Sequence, residues 1–137
     1  MRSVSNRAQQ RGQIRTLLGR LCRFHLWEPN RFGINKALPF KEAILEHGQG
    51  NIRRAYTYKA LNKLIQGSAA DMTKKSMLEL YKEGIIAHIQ IHDELDISVE
   101  SDKKVKRIIE IMEAAVDLEV PNKVDYESGK TWGDIYD

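Results

Sequence analysis

The chain lacks most of what would mark a secreted, membrane-bound or zinc-held protein. Its 137 residues include one cysteine, Cys22, which excludes an internal disulfide, and no Cys/His spacing suggests zinc. Cys22 reads as a strand residue in a reducing compartment. No apolar run approaches the roughly 20 residues of a membrane helix, so no membrane partner is expected. The first thirty residues are basic and polar, unlike a signal peptide. Prolines number three and aromatics are 7% of the chain. Neither an internal repeat nor a low-complexity segment occurs. At 42% hydrophobic, the chain can bury one modest core, which predicts one domain or part of one.

Acidic residues are scarce in one half only. Met1 to Lys75 holds fifteen Lys and Arg against four Asp and Glu, whereas Ser76 to Asp137 holds seven against fifteen. A basic half suits a polyanion, because cations that neutralise phosphates release condensed counterions. It also suits a solvated face or an acidic protein, and composition does not separate these.

The chain centres on Ile89–Val99. Ile85, Ile86, Ala87, Ile89 and Ile91 predict one strand, rich in β-branched residues. Leu95, Ile97 and Val99, alternating with Asp96, Ser98 and Glu100, predict a second. His92-Asp93-Glu94 falls where the hairpin reverses. Alone, this tripeptide describes a solvated turn as well as it describes a site, although three adjacent titratable residues suit metal or phosphate chemistry. Gln90 and Asp96 flank it with no assignable role.

Around the hairpin the period is helical. From Asn51, Ala55, Tyr58, Leu61, Ile65, Ala69, Met72, Met77, Leu80 and Tyr81 recur at three- and four-residue steps. Gly67-Ser68 interrupts them, predicting two helices that meet at a kink. Gly84 is the stop signal. Ser101-Asp102 caps a further helix to Leu118, with Val105, Ile108, Ile109, Met112, Ala115 and Val116 on its apolar face. Pro121 leads into a last strand, Val124–Glu127. Earlier, Gln13–Leu18 and Leu21–Phe24 read as a hairpin reversing at Gly19. Trp27–Gly50 reads as loop around one short helix, Phe40–His47. Met1–Arg11 is either a frayed terminus or a helix that orders on a partner.

Asn62 and Gln66 are four apart and share a helix face. Side-chain amides suit the DNA minor groove, where acceptors recur at similar places; equally, they are common surface residues. The run Asn62-Lys63-Leu64-Ile65-Gln66-Gly67-Ser68-Ala69-Ala70-Asp71 with Lys74, then Gln90-Ile91-His92-Asp93-Glu94-Leu95, resembles the C-terminal palm of family A DNA polymerases. Ala55-Tyr56-Thr57-Tyr58-Lys59-Ala60-Leu61 looks most like the phage branch. The resemblance runs from Gly12 to Trp132.

It implies an α+β fold: the C-terminal part of a polymerase palm, an antiparallel β-hairpin packed on helices. Residues 1–50 would be hairpin and loops, 51–83 DNA-proximal helices, and 84–137 palm hairpin, helix and C-terminal strand. By resemblance Asp93 is a metal-bridging aspartate, Glu94 an accessory carboxylate at the metal, and His92 a positioning group by the primer end. The cofactor implied is Mg2+, which two-metal phosphoryl transfer requires. Asn62 and Gln66 would touch the minor groove, and Arg20, with Thr16 and Gly19, would lie beside the DNA. Lys74 is a phosphate contact or a solvated lysine. Tyr58 stands where many bacterial members carry arginine, which leaves its DNA contact in question.

No upstream Asp-Tyr-Ser motif and no fingers helix occurs in these residues; Asp125-Tyr126-Glu127-Ser128 mimics the motif loosely but follows the helices. The expectation is therefore a catalytic fragment or subunit, inactive alone, of a DNA-directed DNA polymerase. Its partners would be primer-template DNA, an N-terminal polymerase subunit bearing the missing aspartate motif and fingers helix, and incoming dNTP through that chain. The expected location is the cytoplasm of a bacterial or phage-infected cell. The alternative is a non-catalytic DNA-binding module derived from a palm. A metal-dependent nuclease has little support without a second carboxylate site.

Overall fold

The computed structural model describes residues 2–135. They form two compact units, Met1–Asp71 and Met72–Asp137, each with its own buried cluster. Helices and small antiparallel sheets alternate throughout, an α+β arrangement as expected.

In the first unit, α1 (Arg2–Arg11) is a helix. It orders on this chain's own core: Ala8 is fully buried, and Val4 packs with Ile14, Phe24 and Ala60. Strands β1 (Gln13–Arg15) and β2 (Leu21–Arg23) form the expected hairpin, with Ile14 opposite Cys22 and Gly19 at φ +86° in the reversal.

The stretch expected to be loop contains more order. Strands β3 (Leu26–Pro29), β4 (Leu38–Pro39) and β5 (Ile52–Arg54) make a sheet of order β4-β3-β5. Helix α2 (Phe40–His47) lies where the sequence placed it. Trp27 pairs with Arg54 across β3 and β5, meets the Phe40 ring in a tilted contact with centroids 4.8 Å apart, and has the Arg54 guanidinium 4.6 Å over its ring. The same guanidinium donates to the Gln9 and Phe24 carbonyls. The helical pattern therefore starts later than Asn51, because the backbone of 52–55 is engaged with β3, through to Ala55 N–H donating to Leu26 O. A 3₁₀ turn, Thr57–Lys59, leads into α3 (Ala60–Lys82).

Helix α3 is one uninterrupted helix, not the two expected. Gly67 does not break it. A Cβ there would stand 2.7 Å from the Thr16 methyl, so the residue is bare to admit the hairpin loop. Ser68 satisfies its hydroxyl within the helix by donating to Leu64 O at 2.7 Å.

In the second unit, α3 stops at Gly84 (φ +74°). Ile85 N–H reaches back to Leu80 O and Gly84 N–H to Tyr81 O, the paired bonds of a Schellman ending. That ending puts Ile85 beside Leu80 in the core, where Ile108 and Ile111 of α4 (Asp102–Ala114) join them. Ser101 Oγ caps α4 by accepting from Lys104 N–H. Ile111, unassigned by the periodicity, is among the buried residues.

Strands β6 (Ile89–Ile91) and β7 (Glu94–Asp96) form the second hairpin, shorter than expected. Leu95 and Ile97 pack on the core. No strand occurs at 124–127. Val124 N–H, the donor a ladder would need, is committed to the Glu113 carboxylate at 3.2 Å, and Asn122 donates to Met112 O. This segment is fastened to α4 and its end, not to the hairpin.

Candidate nucleic-acid and metal-binding residues

The hairpin register defines the acidic cluster. Ile91 pairs with Glu94, Gln90 with Leu95 and Ile89 with Asp96, so the turn contains only His92 and Asp93, and Glu94 belongs to β7. Residues directly opposite share a face. Ile89, Ile91, Glu94 and Asp96 therefore lie on one face and Leu95 on the other. The apolar residues of the two strands do not share a side, and Ile89 and Ile91 remain 45% and 36% exposed.

His92 has φ +51° at the first turn position, where primed hairpin turns need a positive φ. Its carbonyl accepts from Gln90 Nε2 at 3.1 Å, which gives Gln90 a structural part. Asp93 is exposed at the turn. Asp96 is the residue that sequence reading missed: its Oδ2 is buried with no hydrogen-bond partner among the described residues. Burial, then the Glu94 charge and a hydrogen bond with Glu94, push its carboxyl above the usual aspartate range. Strand alternation alone had set Asp96 on a solvated face. Counting back from a two-residue turn would have paired it with Ile89.

Among the described residues no three Asp, Glu, His or Cys side chains converge as a metal cage. Asp93 and Glu94 are oxygen donors of the type Mg2+ takes, and Mg2+ keeps several waters and few protein carboxylates. These two residues suit part of a Mg2+ site, with further carboxylate needed to complete it.

The first unit contains the other group. Asn62 and Gln66 are both exposed, one turn apart on α3. Arg20 is held against the next part of the same helix. Its Nη2 donates to the Gly67 carbonyl at 2.7 Å, and its Nε lies 3.0 Å from Asp71 Oδ1. Asp71 also accepts from Leu18 N–H at 3.3 Å, and Leu17 N–H donates to Ser68 Oγ at 3.0 Å. Burial alone would raise the Asp71 carboxyl. The Thr16 hydroxyl, the Leu18 N–H and Arg20 outweigh it and hold the carboxyl below its usual range. Tyr58 lies outside α3, in the 3₁₀ turn, 71% exposed with the Lys59 ammonium 5.6 Å over its ring. Lys74 is exposed, in the second unit.

Residues 1–134 match the model of a family described as DNA polymerase family A. A DNA-directed DNA polymerase of Pseudomonas phage M6 is 38% identical over 127 residues, which is 93% of this chain and 16% of that protein. DNA polymerase I of Bacillus caldotenax is 34% identical over 143 residues, covering 98% of this chain and 14% of its own length. Among solved structures, the POL domain of Pol1 from M. smegmatis, in complex with DNA primer-template and dNTP, aligns at a TM-score of 0.69. That likeness is 28% identical and covers 99% of this chain and 22% of the other. The chain thus spans less than a quarter of the length of each.

Proposed function

The chain belongs to DNA polymerase family A, and from that premise we propose that it is the C-terminal catalytic fragment of a DNA-directed polymerase palm. In this reading Asn62, Gln66, Arg20, Tyr58 and Lys74 face primer-template DNA, and Asp93 and Glu94 bind Mg2+ together with carboxylate from polypeptide outside these residues. That polypeptide also brings the fingers helix and, through it, the incoming dNTP. The reading places the chain in the cytoplasm of a bacterial or phage-infected cell.

The observation that carries it is the His92–Asp93 turn. A two-residue turn on a paired register fixes the backbone that carries the Asp93 carboxylate, and Leu95 and Ile97 anchor the hairpin in a buried cluster. Such rigid presentation suits electrostatic catalysis, in which charges must already be in place as the transition state forms. Bound Mg2+ would neutralise charge on the transferring phosphoryl group and lower the pKa of the attacking hydroxyl. Asp93 would hold the metal, and Glu94 would orient it or its waters. His92, strained into a left-handed backbone, would position the primer end.

The test is primer extension in Mg2+. The chain alone should incorporate nothing, and adding polypeptide with the first aspartate motif and fingers helix should restore extension. In the restored complex, Asp93→Asn should cost about a hundredfold or more in rate, and Glu94→Gln less, because water can replace part of an accessory carboxylate. Extension by Asp93→Asn at the unmodified rate would end this reading. Firm DNA binding without restored extension would leave the non-catalytic binding module.

A further inference from the structure

We propose that Asp71 is a positioning residue for phosphate binding: it fixes the Arg20 guanidinium against α3 beside Gln66, leaving the guanidinium's open edge for a DNA phosphodiester. The proposal rests on the DNA-binding reading above and assigns Asp71 a part in it.

Arg20 and Asp71 are not a pair of solvated side chains. The Asp71 side chain is 7% exposed and that of Arg20 49%. Both carboxylate oxygens are committed inward, Oδ1 to Arg20 and Oδ2 to Leu18 N–H. A guanidinium offers five N–H donors in a rigid fork. Two are committed here, to Asp71 and to the Gly67 carbonyl. Nη1 has no partner among the described residues. One edge of the cation is therefore locked to the helix and the other is presented to solvent. This preorganised arginine geometry favours a phosphate over a freely rotating cation.

The surroundings stiffen the same contact. Leu17 N–H donates to Ser68 Oγ, and the Thr16 methyl occupies the space left by the missing Gly67 side chain. The reversal of the β1–β2 hairpin is thus fixed by four polar contacts to Gly67, Ser68 and Asp71 of α3, in the stretch that directly follows Gln66. The residues that hold Arg20, Gly67 and Asp71, follow Gln66 within the next turn and a half of the same helix, so in the DNA-binding reading Arg20 grips the backbone close along α3 to where Asn62 and Gln66 meet the groove.

The discriminating measurement is anisotropy of a labelled primer-template duplex titrated with the full chain across a NaCl series. Arg20→Ala should weaken binding about tenfold and lower the salt slope by about one. Asp71→Asn should also weaken binding, about fivefold, although it removes a negative charge near the DNA. Electrostatics alone would make that variant bind more tightly, so the sign separates positioning from charge. Combining the two changes should weaken binding no further than Arg20→Ala. Arg20→Lys, which keeps the charge and loses the fork, should lose affinity as Arg20→Ala does. Asp71→Asn that is folded by circular dichroism and binds as well as or better than the unmodified chain would overturn the proposal. Should Asp71→Asn fail to fold, Arg20→Lys decides: full affinity overturns the proposal, and loss supports it. Failure of the unmodified chain to bind DNA would overturn the functional reading itself. Binding that is indifferent to Arg20 overturns the positioning role alone.

Discussion

Two aspartates show how environment assigns opposite parts to one residue type. Asp71 is buried but supplied with donors, and its carboxyl is held low. Its share of stability is present above the ordinary aspartate pKa and is lost as pH falls through the lowered value. Asp96 has a buried oxygen without a partner and the Glu94 charge beside it, and its carboxyl is raised. Here the native state binds the proton more tightly than the unfolded chain does. The stability from that proton is complete below the ordinary pKa and is lost as pH rises through the raised one. In metal-free buffer, Asp96→Asn should therefore be more stable than the unmodified chain at neutral pH. That advantage should shrink on acidification. Denaturant midpoints at pH 7 and pH 4 check it, and an equal shift at both pH values would refute the account. Both behaviours depend on tertiary neighbours. Thr16 and Leu18 reach Asp71 across more than fifty residues of sequence, which no local pattern encodes.

At the scale of the element, legibility followed length and locality. Helices α2 and α4 and both hairpins were readable, since their signals lie within one segment: a capping serine, a glycine stop, an alternation around a turn. The β4-β3-β5 sheet was not. Its strands are two to four residues long, too short to show a period, and Trp27 finds Arg54 only after folding. Helix α3 failed differently. Gly67 was read by its intrinsic cost to a helix, whereas its role is to leave room for Thr16. Gly67→Ala should therefore not give the gain of about 1 kcal/mol that helix propensity offers. It should destabilise by about 1–3 kcal/mol through overpacking. Adding Thr16→Ser, which removes the crowding methyl and keeps the hydroxyl, should recover most of the loss. Thermal melts of the single and double variants measure this. The same reasoning bounds what was legible of the site. The Asp93 turn was visible in the motif, whereas the Arg20–Asp71 contact was not, because its partners lie on separate elements.

Over the whole molecule the governing quantity is charge. Fifteen cations against four acids before Ser76 make the leading part strongly basic, and the rest is as clearly acidic. DNA affinity should fall linearly on a log–log plot as salt rises and should tolerate any sequence, since phosphates and the minor groove carry little base information. A flat salt titration, or strong preference for one duplex, would contradict this. The same division of charge bears on how copies of the chain meet each other. A basic part on one copy attracts the acidic part of the next, and such head-to-tail contact need not close into a ring. At low ionic strength the chain should therefore coalesce into open-ended assemblies, seen as turbidity that clears on adding salt. Salt would loosen these contacts and the proposed DNA binding alike, so an apparent affinity measured in dilute buffer would combine two equilibria. Light scattering across the same salt series would show where the second one ends.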